Sequence, residues 1–219
     1  MTADHATTRP DKTRKLILQT VIGAIAGASA TLAALFALDG RIDIDDPSRM
    51  LALITGLVLM VIGLFVGFGL AAPKLGSQLL NVEDADELHE QRRPLSLAAL
   101  ILLFAGAGLM ALAMAATGDE PGVLSPRSAL ILVAIAFAGT VIVAVMSRRS
   151  NDELMRSLSA QACVLTLYAL LIVGTVWATL AHLGFVGWIT PLGFLAGLTA
   201  LQLLAGFVVV GRSGLMTPR

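Results

Sequence analysis

The sequence predicts an all-α fold: a polytopic transmembrane bundle of six helical spans, laid out as three hairpins in a single domain over 1–219, with both termini cytoplasmic. Three observations carry that prediction. Hydrophobic residues make up 57% of the chain and charged residues 14%, against about 45 to 50% and about 25% in a soluble domain. That is more apolar side chain than a globular core of this size hides, whereas lipid accommodates it. The apolar residues fall in six runs long enough to cross about 30 Å of hydrocarbon, which takes roughly 20 residues at 1.5 Å each. The basic residues, finally, gather in alternate connections.

The six runs are 16–38, 50–71, 95–117, 129–146, 160–181 and 188–210. No Asp, Glu, Lys or Arg interrupts any of them, although one such residue at a helix centre would cost only about 2.5 to 3.5 kcal/mol on insertion scales. The first run follows a basic segment and contains Ala28-Ser29-Ala30, but its apolar stretch exceeds the roughly 7 to 15 residues of a signal peptide. It reads as a retained helix. Between the runs the chain is polar and turn-forming: Asp39-Gly40 and Asp46-Pro47-Ser48, then Pro73 and Pro94, then Gly118-Asp119-Glu120-Pro121-Gly122. Short connections of this kind place consecutive helices antiparallel.

Orientation follows from the cations. Arg9, Lys12, Arg14, Lys15, Lys74, Arg92, Arg93, Arg148, Arg149, Arg156, Arg212 and Arg219 fall on one side, and only Arg41, Arg49 and Arg127 on the other. The side rich in Lys and Arg faces the cytoplasm, so both termini and the second and fourth connections are expected there. Trp188 and His182 then mark the outer interface. Abundant Ala, Leu and Gly, with Arg favoured over Lys, fit a bacterial inner (plasma) membrane protein.

Helices in lipid associate through close approach of small residues. Gly23 and Gly27, Gly63 and Gly67, and Gly193 and Gly197 have the small-x-x-x-small spacing and are the expected packing positions. Tight packing within the chain satisfies that spacing, and so does a homodimer seam.

Little in the sequence points to catalysis. His5, His89 and His182 are scattered, with His182 on the opposite side from the other two, and Cys163 is the only cysteine. Disulfide chemistry and a cysteine metal site within one chain are excluded. No Gly-rich phosphate loop, zinc spacing or serine elbow is present. The chain is therefore expected to be non-enzymatic, with no catalytic, cofactor-binding or metal site. No ionisable residue lies within the spans, which disfavours an ion-coupled carrier. The hydroxyl and amide side chains there (Gln19, Thr55, Thr140, Gln161, Thr166, Thr175, Thr199 and Gln202) are expected to bond across helices or back to a helix carbonyl.

The connections hold the remaining chemistry. Asp39, Asp43, Asp45 and Asp46 crowd the first outer loop, but without the ordered ligand positions of a calcium loop. On the inner side Glu83, Asp84, Asp86, Glu87 and Glu90 put five carboxylates into eight residues, and Asp152-Glu153-Leu154 repeats Asp86-Glu87-Leu88 at a distance of 66 residues. Ser150-x-x-Glu153 has the form of a capping box and Asp84-x-x-Glu87 is a close variant, so both elements suit the start of a helix. Capping leaves Glu83, Asp86 and Glu90 without a structural task. An acidic face for a basic partner accounts for them.

The stretch Asp152-Glu153-Leu154-Met155-Arg156, followed by Ala160 and Ala162 and then a two-helix membrane unit, resembles a pattern in small polytopic bacterial membrane proteins of unknown function. In those families an Asp-Glu pair followed by Arg and Ala precedes each membrane hairpin, and the gene often neighbours a small helix-turn-helix transcription regulator. The resemblance covers 150–212 and, more faintly, the region from Glu83. The first two spans lie outside it, and the Lys common in the later part of the motif is missing. It implies a membrane protein that tethers or inhibits a cytosolic DNA-binding regulator without itself touching nucleic acid. Glu83, Asp84, Asp86, Glu87, Glu90, Asp152, Glu153 and Arg156 would form the partner-binding set. The rival expectations are a small-solute transporter or channel and a structural subunit of a larger membrane complex.

Overall fold

The structure, a computed structural model, describes residues 46–72, 92–116, 122–150 and 152–213, together with the single positions Gly27, Ser29, Leu32, Ala33 and Phe36. Within these stretches the chain forms five helices: α1 (Pro47–Ala71), α2 (Arg92–Ala113), α3 (Pro126–Ser150), α4 (Glu153–His182) and α5 (Pro191–Arg212). Each is long and apolar enough to cross a membrane. They correspond to the second to sixth expected spans. The first, 16–38, lies outside the described residues apart from the five single positions, so the described residues carry five spans where six are expected.

The helices outrun the apolar runs at seven of their ten ends, where capping residues and arginines extend them, whereas α2 stops four residues short of its run and α5 starts three residues inside its own. Asp46 caps α1 by accepting from the Ser48 amide at 2.9 Å. Ser125 accepts from the Ser128 amide at 3.2 Å at the start of α3, and Thr190 caps α5 by accepting from the Gly193 amide at 3.0 Å. In all three a proline follows the capping residue, where its missing N–H costs nothing and its fixed φ suits the first turn. Pro47, read from sequence as turn punctuation, is thus the first residue of α1.

Across the bundle the packing order is α4, α5, α1, α2, α3, with a lesser contact between α2 and α5. α2–α3 and α4–α5 pack as the expected hairpins, but the tightest interface joins α1 to α2 across the long connection 73–91. Its basis is a stripe of seven-residue spacing. Arg49, Gly56, Gly63 and Leu70 are buried on α1, Ala99, Gly106 and Ala113 on α2, and Ala129, Ala136 and Val143 on α3. A seven-residue repeat keeps one seam facing its neighbour over several turns, and small residues there let backbones approach where hydrophobicity gives no drive. A Cβ at Gly106 would lie 2.6 Å from the Gly56 carbonyl oxygen, and one at Gly56 would lie 2.9 Å from the Gly106 carbonyl oxygen.

The expected packing glycines differ in their surroundings. Gly63 does face α2, with Ala99 O 3.0 Å and Leu103 Cγ 2.9 Å from where a Cβ would stand, and Gly193 faces Thr190 and Ser48. A Cβ at Gly67 or Gly197 would meet nothing within 4 Å, and the Gly23–Gly27 pair is not described as a pair, since Gly23 lies outside the described residues. In neither of the two fully described pairs do both glycines pack, because the four-residue step turns the second one off a seam that recurs every seven.

Candidate functional site

The alternating directions of the five helices sort the arginines. Arg92 and Arg93 open α2, Arg148 and Arg149 close α3, Arg156 sits in the second turn of α4 and Arg212 closes α5, all at one end of the bundle. Among the described residues the opposite end holds Arg49 and Arg127.

The arginine-bearing end is also where the chain leaves α1 at Ala72 and re-enters α2 at Arg92, so the acidic stretch is tethered there at both of its ends. Glu83, Asp84, Asp86, Glu87 and Glu90 themselves lie outside the described residues. The second acidic element is described in full. Asp152 is the N-cap of α4, its Oδ1 accepting from the Met155 amide at 2.8 Å. The N-cap is Asp152 in place of the expected Ser150, which is the last residue of α3. Glu153 lies exposed in the first turn, where its charge complements the helix dipole. Arg156 donates from Nη2 to the Arg148 carbonyl at 3.1 Å, closing the link between α3 and α4. Of the three candidate partner-binding residues described, Asp152 and Arg156 thus hold the junction together, while Glu153 presents its carboxylate outward.

Within the bundle the polar side chains are largely consumed locally. Thr140, Thr166 and Thr199 each donate at 2.8 Å to the carbonyl four residues earlier in their own helix, and Gln161 donates to Ser157 at 3.2 Å. Gln202 reaches across from α5 to the Cys163 sulfur of α4 at 4.0 Å. Among the described residues no buried side-chain nitrogen or oxygen lacks a hydrogen-bond partner, and no three His, Cys, Asp or Glu side chains gather closely enough to hold a metal ion.

At the opposite end lies a feature the sequence reading missed. Arg49, counted there as a loop residue, is in the first turn of α1 and only 2% exposed. Its Nε lies 3.9 Å from Asp46 Oδ2. Beside it the Thr190 hydroxyl donates to Ser48 Oγ at 2.6 Å, joining the capped starts of α5 and α1, which run parallel. The seven-residue spacing from Arg49 to Gly56 and Gly63 was the available signal. Compared with protein-family models, curated proteins and solved structures, the chain matches none.

Proposed function

We propose that this chain is a non-enzymatic, multi-pass protein of the bacterial inner membrane whose arginine-bearing end faces the cytoplasm and docks a soluble protein with a basic surface, tethering or inhibiting it. The observation that carries the reading is the convergence on one end of the bundle. The connection holding Glu83, Asp84, Asp86, Glu87 and Glu90 starts and finishes there, next to the α3–α4 junction with exposed Glu153. Basic side chains at the helix ends sit at the level of anionic lipid headgroups, which attract them. The connection between α1 and α2 carries five carboxylates within eight residues at that end. An acidic surface there complements a basic partner by charge, which steers encounter and selects register. Helix-turn-helix domains carry such a basic surface for DNA phosphates, and the resemblance in the Asp152 to Arg156 stretch singles them out as the partner class.

The test is copurification from native membranes. A soluble basic protein is expected to follow the wild-type chain and to be lost when Glu83, Asp84, Asp86, Glu87 and Glu90 are together replaced by Gln or Asn. Undiminished capture by that variant contradicts the acidic-loop mechanism. The back-bonded hydroxyls favour this reading over a solute carrier, and the purified chain in liposomes is expected to leave solute uptake at the level of empty vesicles.

A further inference from the structure

From Ser157 to Gly211 the chain contains no Asp, Glu, Lys or Arg, so the connection between α4 and α5 is as free of these residues as the apolar stretches on either side of it. The other two connections at that end hold Arg41 with four carboxylates, and Asp119 with Glu120. An aqueous loop has no reason to be built this way.

The geometry adds three points. The first is height. Cys163 lies abreast of Gln202 and Trp177 abreast of Gly187, so α4 draws level with Thr190 near Thr175. It then runs on for about two more turns, roughly 10 Å. Thr190 is joined to Ser48 in the first turn of α1, so the tip stands beyond the starts of both α1 and α5.

The second is what the tip displays. Leu183, Phe185, Trp188 and Ile189 are all exposed, Phe185 at 75% and Trp188 at 70%, continuous with the exposed Val176, Trp177 and Leu180 of α4. Both tryptophans of the chain are here.

The third is that the backbone entering the turn is satisfied without water. Phe185 N–H donates to Leu180 O at 2.9 Å and Gly184 N–H to Ala181 O at 3.1 Å, the paired bonds of a Schellman cap, with Gly184 supplying the required positive φ of 81°. Trp177 Nε1 donates to Gly187 O at 3.2 Å. Internal satisfaction of this kind is what a medium poor in water demands.

We infer that the α4–α5 tip is a lipid-binding wedge: Phe185, Trp188, Leu183 and Ile189 insert into the headgroup and upper acyl region of the leaflet at that end and anchor the hairpin there. Amphipathic tryptophan is favoured at the headgroup level, and apolar phenylalanine and leucine at the acyl boundary just beneath it. The inference rests on the membrane-spanning reading of the helices, and the test separates the two.

The Trp177→Phe chain leaves Trp188 as the sole indole emitter. It is reconstituted in phosphatidylcholine nanodiscs and compared with Trp188→Phe, after circular dichroism has shown wild-type helicity for both. Trp188 emission is expected to fall by about half or more with a nitroxide placed on the acyl chain near the headgroup, by less with one near the chain end, and little with aqueous iodide, as for a belt residue. Quenching by iodide but not by nitroxide lipid, or shielding from both by a protein surface, overturns the wedge. Carbonate extraction of native membranes reads the other claim: a chain that stays in the pellet while Trp188 is quenched only from water retains its spans and loses the wedge, whereas a chain released into the supernatant loses both.

Discussion

Gly106 has no room for a methyl group, since the Gly56 carbonyl oxygen would stand 2.6 Å from its Cβ. Gly106→Ala must push α1 and α2 apart and is expected to cost about 1 to 3 kcal/mol, the usual range for overpacking. Gly67→Ala meets open space and is expected to leave stability unchanged or raise it by up to about 1 kcal/mol, the helix preference of alanine over glycine. A denaturation series of the two variants in mild detergent checks the contrast; equal losses would contradict the seven-residue seam. Sequence patterning brought Gly63 and Gly193 forward for a reason that was half right. It recognised that small residues pack but took a four-residue step, while the buried small residues of α1 and α2 recur every seven. Arg49 was illegible because a charge beside an apolar run reads as a loop residue until its helix and neighbours are known. Burial makes its environment sensitive: Asp46→Ala is expected to cost more than the roughly 1 kcal/mol of a lost cap, because it also removes a carboxylate from beside a buried guanidinium.

At the scale of elements, the spans were legible and their ends were not. Apolar runs found every described helix, since exclusion of charge over roughly 20 residues is a strong signal, but α4 starts seven residues ahead of its run (160–181) at Glu153 and ends at His182. Caps and interfacial residues set those limits, and a hydropathy window does not see them. At the α3–α4 junction the cap of Asp152 and its charge can be tested apart. Asparagine caps a helix about as well as aspartate, so Asp152→Asn separates charge from capping. That variant is expected to keep thermal stability within a few tenths of a kcal/mol of wild type, while Asp152→Ala loses about 1 kcal/mol. If the junction contributes charge to partner docking, Asp152→Asn also lowers copurification of the partner; unchanged capture by both variants assigns Asp152 to capping alone and leaves docking to the 83–90 stretch. Of the candidate site, the sequence revealed the acidic clusters and the arginines that flank them, but not that Arg156 is engaged at the Arg148 carbonyl, a contact made only once α3 and α4 meet.

For the whole molecule, the account depends on two unlike ends. One carries the arginines of α2 to α5 and tethers the acidic connection, and the other carries the three capped proline starts, a buried Arg49 and an uncharged aromatic tip. Such asymmetry has a physical meaning only if the ends face different compartments, with basic residues retained on the cytoplasmic side and the acidic docking surface exposed to soluble proteins. Cys163 is the sole cysteine, so a Cys163→Ala background admits single reporter cysteines on each side. The most direct measurement is labelling of Val123→Cys and Glu87→Cys in that background with a membrane-impermeant maleimide on intact spheroplasts. Val123→Cys is expected to label at once and Glu87→Cys only after the membrane is opened. Labelling of Glu87→Cys in sealed spheroplasts would contradict the orientation and, with it, the docking of a cytosolic partner.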